Sequence, residues 1–135
     1  MGFKNDFGGF EVRNKYLKIC LGRKGITLIE NKINRTKEVS IFEDFFDYLI
    51  FRNLEKEDSN SDFLILNSTS KLFKAQGRLK KYDKISLYLD NDSNGEVTKE
   101  IIQKKYRNVE DCSLLYKDFK DLNEWFCFST SFSNI

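Results

Sequence analysis

The stretch Ile85-Ser-Leu-Tyr-Leu-Asp90-Asn-Asp92-Ser-Asn-Gly95 decides how the chain folds. Ile85 to Leu89 is a short apolar run and reads as a core strand. It ends on Asp90, and Asp92 to Asn94 offer an N-cap for a helical pattern in which Val97, Ile101 and Ile102 share a face. While the chain stays extended, the side chains of Asp90 and Asp92 point one way and that of Asn91 the other. Gly95 is expected to permit a sharp turn into the helix.

The same rhythm extends in both directions. Val39-Ser-Ile-Phe-Glu43, Phe63-Leu-Ile-Leu-Asn67 and Cys112-Ser-Leu-Leu-Tyr116 are further apolar runs. Between them lie amphipathic segments, one with Phe45, Phe46, Leu49 and Ile50 on a face, the next with Leu72, Ala75, Gln76 and Leu79. The polar Glu55–Asp62 stretch reads as an exposed loop. Apolar strands alternating with helices predict an α/β fold, a mainly parallel four-stranded sheet flanked by helices. Before it, Phe10 and Val12, then Leu17, Ile19 and Leu21, alternate with polar residues, and Ile26 to Ile29 follows Gly25 as a return strand. These predict a small β element over residues 1–38, packing on a core over 39–128. The serine-rich stretch 129–135 is expected to be a disordered tail.

At 135 residues the chain can bury one substantial core, and 40% apolar residues with 13 Phe argue against disorder. Lys and Arg number 23 against 21 acids, so no whole-molecule field selects a partner, and a phosphate ligand must be held by local groups. Histidine is absent, which removes Ser-His and Cys-His nucleophile pairs and imidazole metal sites. Cys20, Cys112 and Cys127 form no C-x-x-C pair, so neither zinc nor a disulfide framework is expected, and a reducing cytoplasm is the simpler setting. No leader is read at Met1–Asn5, and no apolar run reaches the roughly 20 residues a membrane helix needs. Carboxylate, lysine, arginine and backbone remain for chemistry.

In a parallel sheet the carboxyl ends of the strands share one edge, where ligands bind in open α/β folds. Glu43 closes one strand, and Asp90 and Asp92 follow another, so three carboxylates are expected to project into one small volume. Crowded carboxylates repel, and a hard divalent cation is the usual remedy; magnesium takes oxygen ligands and keeps waters that phosphate oxygens can replace. Asp118, Lys120, Asp121 and Asn123 follow Tyr116 at the same edge, which leaves room for a second ion or water-mediated ligation. Two other readings compete. An Asp at a strand end before a Gly-containing turn also serves as a helix cap, and Glu43, Asp44 and Asp47 also suit a solvated helix N-terminus. Asp90 to Gly95 matches half of an EF-hand loop, but the twelfth position is Ile101, Glu100 lies one place early, and a strand precedes it.

At these residues the sequence resembles the Toprim domain shared by bacterial-type primases, type IA and type II topoisomerases and several nucleases, and most of all the primase-like proteins of bacterial mobile elements. Glu43-Asp-Phe-Phe-Asp47 stands where that family has E-G-x-x-D, Asp90-Asn-Asp92-Ser-Asn-Gly95 matches D-x-D-x-x-G, and Lys120-Asp121-Leu-Asn123-Glu124 matches the primase K-D-x-D/N-E. Gly8 to Asn14 resembles the segment leading into the catalytic core of those primases. The resemblance covers residues 8–126 and departs at Asp44, where the family has glycine, at the Cys20–Gly25 turn, and after Cys127.

The resemblance implies Glu43, Asp90 and Asp92 as catalytic ligands of Mg2+ or Mn2+, with Asp121 as a further ligand and Asp47, Gly95, Lys120 and Asn123 supporting the site. It implies nucleotidyl transfer from nucleotide triphosphates, making RNA primers on single-stranded DNA in the bacterial cytoplasm, with a helicase or other replication protein as partner and no membrane. Arg13, Lys15 and Lys18, interleaved with Tyr16, are the expected template contacts, against a solvated strand face. Lys71, Lys74, Arg78, Lys80 and Lys81 are expected to form an exposed helix face, and Trp125 to sit in the core. The same carboxylates would serve a Toprim nuclease, and a fragmentary Toprim module could bind DNA without catalysis. A phosphoacceptor receiver domain shares the parallel sheet but needs an acidic pair after its first strand.

Overall fold

The period-two alternation of the apolar runs gives the sheet two buried faces of different character. In the computed structural model, which describes residues 2–133 apart from 7, 9, 14–17, 22–24, 32–35 and 56–60, these faces belong to one five-stranded sheet. Its strands are β4 (Thr27–Ile29), β5 (Glu38–Phe42), β6 (Asp62–Ile65), β7 (Lys84–Tyr88) and β8 (Val109–Asp111), in the order β4-β6-β5-β7-β8. β5 to β8 run parallel, and β4 pairs antiparallel with β6 along one edge. A separate three-stranded antiparallel sheet precedes them: β1 (Gly2–Lys4), β2 (Phe10–Arg13) and β3 (Lys18–Leu21). Asp6 links the two sheets. Its N–H donates to the Ile26 carbonyl, and its Oδ2 accepts from Leu28 N at 3.0 Å and pairs with Arg78 at 2.7 Å.

Val39, Ile41, Leu64, Leu66, Ile85, Leu87 and Leu89 face one way, against Leu72, Ala75 and Leu79 of α2 (Leu72–Leu79) and Ile102 of α3 (Ser93–Lys105). The other face is aromatic. Phe42, Phe63 and Tyr88 meet Phe45, Tyr48 and Phe51 of α1 (Phe45–Glu55), with Tyr116 and then Leu122 and Trp125 of α4 (Leu122–Ser133). The Phe42 and Tyr88 rings stack with centroids 5.0 Å apart. Arg52 lies over the Phe63 ring at 5.0 Å, an exposed contact worth about 0.5–1 kcal/mol. Burial of a Phe side chain contributes roughly 1.5–3 kcal/mol, so Phe51 rather than Arg52 anchors α1.

Four local expectations are corrected. Thr27–Ile29 joins the central sheet instead of returning on the N-terminal element. Cys112–Tyr116 is a 3-10 turn, and the fourth parallel strand is the polar Val109–Asp111 just before it. The inward face of α1 includes Phe51, three residues beyond Tyr48. In α3, Val97 and Ile101 are 57% and 44% exposed, while Gly95, Thr98, Lys99 and Ile102 face inward. α4 spans Leu122–Ser133, and Phe128 packs on Phe119 with ring centroids at 5.1 Å. Among the described residues no helix is long and apolar enough to cross a membrane.

Candidate metal centre

The C-terminal ends of β5 and β7 lie side by side, with Phe42 opposite Tyr88 in register, which brings Glu43 and Asp90 to the same edge. Three helices begin at that edge, and an aspartate caps each. Asp44 accepts from Phe46 N at 2.8 Å at the start of α1, Asp92 from Gly95 N at 2.8 Å at the start of α3, and Asp121 from Glu124 N at 2.8 Å at the start of α4. Capping and metal binding are thus not alternatives for Asp92 and Asp121, because a carboxylate that spends one oxygen on a backbone amide keeps the other. The family glycine position is filled here by Asp44, a buried residue whose side chain serves the helix start.

Two groups of acids result. Glu43, Asp90 and Asp92 each offer one oxygen within 4.8 Å of the others, and so do Asp47, Asp90 and Asp121. Asp90 belongs to both. Asp47 is 1% exposed and Asp90 8%, and Asp47 Oδ2 and Asp90 Oδ1 are buried and receive no hydrogen bond. The other Asp47 oxygen accepts from Asn123 N at 3.0 Å.

Burial is the largest influence on both residues. It drives the Asp90 carboxyl up to about 9, helped by a hydrogen bond with Glu43 and by the charges of Glu43, Asp121 and Asp92. Asp47 is held well above the ordinary carboxylate range by burial, then by the charges of Asp121, Asp44 and Asp90, while the Asn123 amide acts the other way. Unit charges about 4 Å apart repel by roughly 4 kcal/mol at an effective dielectric near 20. A helix N-terminus returns about 0.3–1 kcal/mol. The helix ends therefore cannot hold this cluster fully ionised; protons or a cation must. Two buried oxygens without hydrogens to accept, in an all-carboxylate donor set, fit a hard divalent cation.

The supporting residues reach the site by different routes. Gly95 lies inside the first turn of α3 rather than in a turn needing a special backbone angle; a β-carbon there would collide with the Asp90 carbonyl group. Lys120 meets the site through its carbonyl, which accepts from Asn91 N at 2.6 Å, while its side chain is exposed. Asn123 acts through its backbone amide on Asp47, its own side-chain oxygen facing Cys127 Sγ at 3.8 Å. Tyr116, expected in a strand, is buried with its hydroxyl donating to the Leu89 carbonyl at 2.7 Å; burial and the charges of Asp47 and Asp90 push its phenol up. Arg13 and Lys18 are register partners in the β2–β3 pair, and Lys15 lies outside the described residues.

No curated protein sequence matches the chain. In structure it is similar to the primase fragment of the bacteriophage T7 primase-helicase protein, with a TM-score of 0.69 and 18% identity over 95% of this chain and 57% of that one. It is also similar to a bacteriophage T7 lagging-strand DNA polymerase structure containing primase domains of two subunits bound to an RNA/DNA hybrid and dTTP, with a TM-score of 0.65 and 18% identity over 96% of this chain and 70% of that one. The chain thus spans little more than half the length of the first of these. The profile of the family described as Toprim-like matches residues 40–126, a segment that holds both acid groups and all four parallel strands apart from the first two residues of β5. The chain belongs to the Toprim-like family.

Proposed function

We propose that this chain is the Toprim domain of a primase-like protein, serving Mg2+-dependent nucleotidyl transfer in RNA primer synthesis on single-stranded DNA. The observation that carries the proposal is the shared Asp90, buried between two groups of acids with an oxygen that receives no hydrogen bond. Glu43, Asp90 and Asp92 would hold one Mg2+ or Mn2+, and Asp47, Asp90 and Asp121 would flank a second position. A divalent cation bound here supplies neutralisation of phosphate charge, the main requirement of phosphoryl transfer. Glu43, hydrogen-bonded with Asp90, is either a further ligand or the general base. As a base it takes the proton of the attacking hydroxyl while that oxygen bonds to phosphorus and pyrophosphate leaves.

The primase lineage is supported by the K-D-x-N-E segment, Lys120–Glu124, whose Asp121 reaches the acid cluster. Similarity to phage primase domains bound to an RNA/DNA hybrid and dTTP supports nucleotide triphosphates and nucleic acid as ligands, and a helicase or other replication protein as partner. Arg13, Lys15 and Lys18 are proposed template contacts, with Arg13 and Lys18 opposite one another in the N-terminal hairpin.

Calorimetric titration with Mn2+ or Mg2+ of the wild type and the Asp90→Asn/Asp92→Asn double variant tests the site. Binding should be present in the first and lost in the second, with the fold retained. An intact wild type that binds no metal at millimolar concentration overturns the proposal. Primer synthesis from labelled nucleotide triphosphates on single-stranded DNA, with the remaining primase parts supplied, then tests the reaction; DNA cleavage without synthesis would make it a nuclease.

A further inference from the structure

Lys99 is 2% exposed, on the inward face of α3, and its ammonium group meets three acceptors. These are Asn91 Oδ1 at 3.1 Å, Glu96 Oε1 at 2.8 Å and Ser113 Oγ at 2.8 Å, one for each hydrogen of the group. The Ser113 hydroxyl in turn lies 2.6 Å from Asp111 Oδ1 at the end of β8. Asp111 Oδ2 lies 4.0 Å from the ammonium, and because a buried ammonium is costly unless satisfied, these partners hold it in place.

Asn91 stands between the two acids of the D-x-D motif and faces away from them. Its Nδ2 donates to the carbonyls of Tyr116 and Phe119, each at 3.0 Å, and of Ser113 at 3.4 Å, while its backbone N–H donates to Lys120. Four carbonyls of the segment after β8 therefore converge on one residue. The amide works only in one orientation. Lys99 fixes it, because a flipped amide would present its hydrogens to an ammonium and its oxygen to three carbonyls. The segment so gathered ends at Asp121, the acid that completes the second group with Asp47 and Asp90.

We propose that Lys99 and Asn91 are positioning residues. Lys99 orients the Asn91 amide, Asn91 docks the 113–120 segment on the strand end bearing Asp90 and Asp92, and Asp121 is thereby held at the cluster. This rests on the metal-centre reading above. Partners that orient metal ligands without touching the ion typically change affinity by about 10–100-fold.

The test uses Lys99→Met, which keeps the stem and removes the ammonium, and Asn91→Ala, which carries the same comparison if the lysine variant fails to fold. Leu79→Ala, in the core away from this network, is the control for lost stability alone. Hydrogen exchange in the metal-free proteins should quicken at least tenfold over residues 113–121 in both network variants, with β5 and β7 still protected. Mn2+ affinity by calorimetry should fall about 10–100-fold in both, and stay at the wild-type value in Leu79→Ala. Wild-type binding with unchanged affinity in folded Lys99→Met or Asn91→Ala overturns the positioning role alone. A wild type that binds no Mn2+ overturns the metal centre and this inference together. A control that loses affinity equally reduces the effect to general stability and overturns it as well.

Discussion

Asp90 has the same chemical identity as the other carboxylates at the sheet edge but a different situation, because it alone belongs to both acid groups. Its folded pKa, about 9, lies far above the ~3.9 of an unfolded aspartate. Neutral Asp90 is thus favoured by folding. Its contribution is fully present below about pH 4 and is lost as pH rises toward 9. Asp47, also raised, acts in the same direction. In metal-free protein the urea midpoint should therefore fall as pH rises from about 5 to about 9, and Asp90→Asn should make that slope shallower. An Asp90→Asn slope equal to the wild-type slope would show that Asp90 ionises without strain. The positions of Glu43, Asp90 and Asp92 are legible in the sequence because each stands just past an apolar run. The perturbation of Asp90 is not, since its largest cause is burial and one of the charges that add to it, Asp121, stands at the start of α4.

At the scale of the element, α3 shows how a helix start can be fixed by close approach. Asp92 caps it, and Gly95, in the first turn, leaves the space that the Asp90 carbonyl occupies. Alanine at that position gains up to about 1 kcal/mol in helix propensity. The collision is with backbone, which cannot rotate away as a side chain can, and overpacking of this kind typically costs about 1–3 kcal/mol. The cost outweighs the gain. Gly95→Ala should lower the denaturation midpoint, and because the movement needed is that of Asp90 itself, Mn2+ affinity should fall with it. A stabilised Gly95→Ala variant with normal metal affinity would contradict this account. The motif D-x-D-x-x-G shows that a glycine is wanted but not why. Hydrophobic spacing identified only Ile102 of the inward face of α3, because the rest of that face is Gly95, Thr98 and Lys99, and Lys99 is held there by polar contacts.

On the scale of the whole molecule, the sheet brings one edge under three helix N-termini and leaves an acid cluster that holds either protons or a cation at neutral pH. Metal binding and folding should then be coupled. A ligand that binds only the folded state at 100 times its dissociation constant adds about 2.7 kcal/mol of stability. Thermal unfolding with saturating Mg2+ should shift upward by that order, and a chelator should reverse the shift. Because binding displaces protons from Asp90 and Asp47, the shift should grow from pH 6 to about pH 9. A shift that is independent of pH would place the ion away from Asp90.

Taken by itself, the order of residues determined the parallel α/β architecture, the strand ends bearing Glu43 and Asp90, and the Toprim resemblance. These follow from local periodicity and motif spacing, which a chain carries wherever its partners lie. Only the tertiary structure decided that Val109–Asp111 rather than Cys112–Tyr116 forms the edge strand, and that Thr27–Ile29 joins the main sheet. It alone showed that Asn91 and Lys99 clamp the segment leading to Asp121. Each of these depends on hydrogen-bonding partners far away in the chain. Such partners leave no period in the sequence, because a buried polar group is stabilised by where its acceptors are and not by which residues stand beside it.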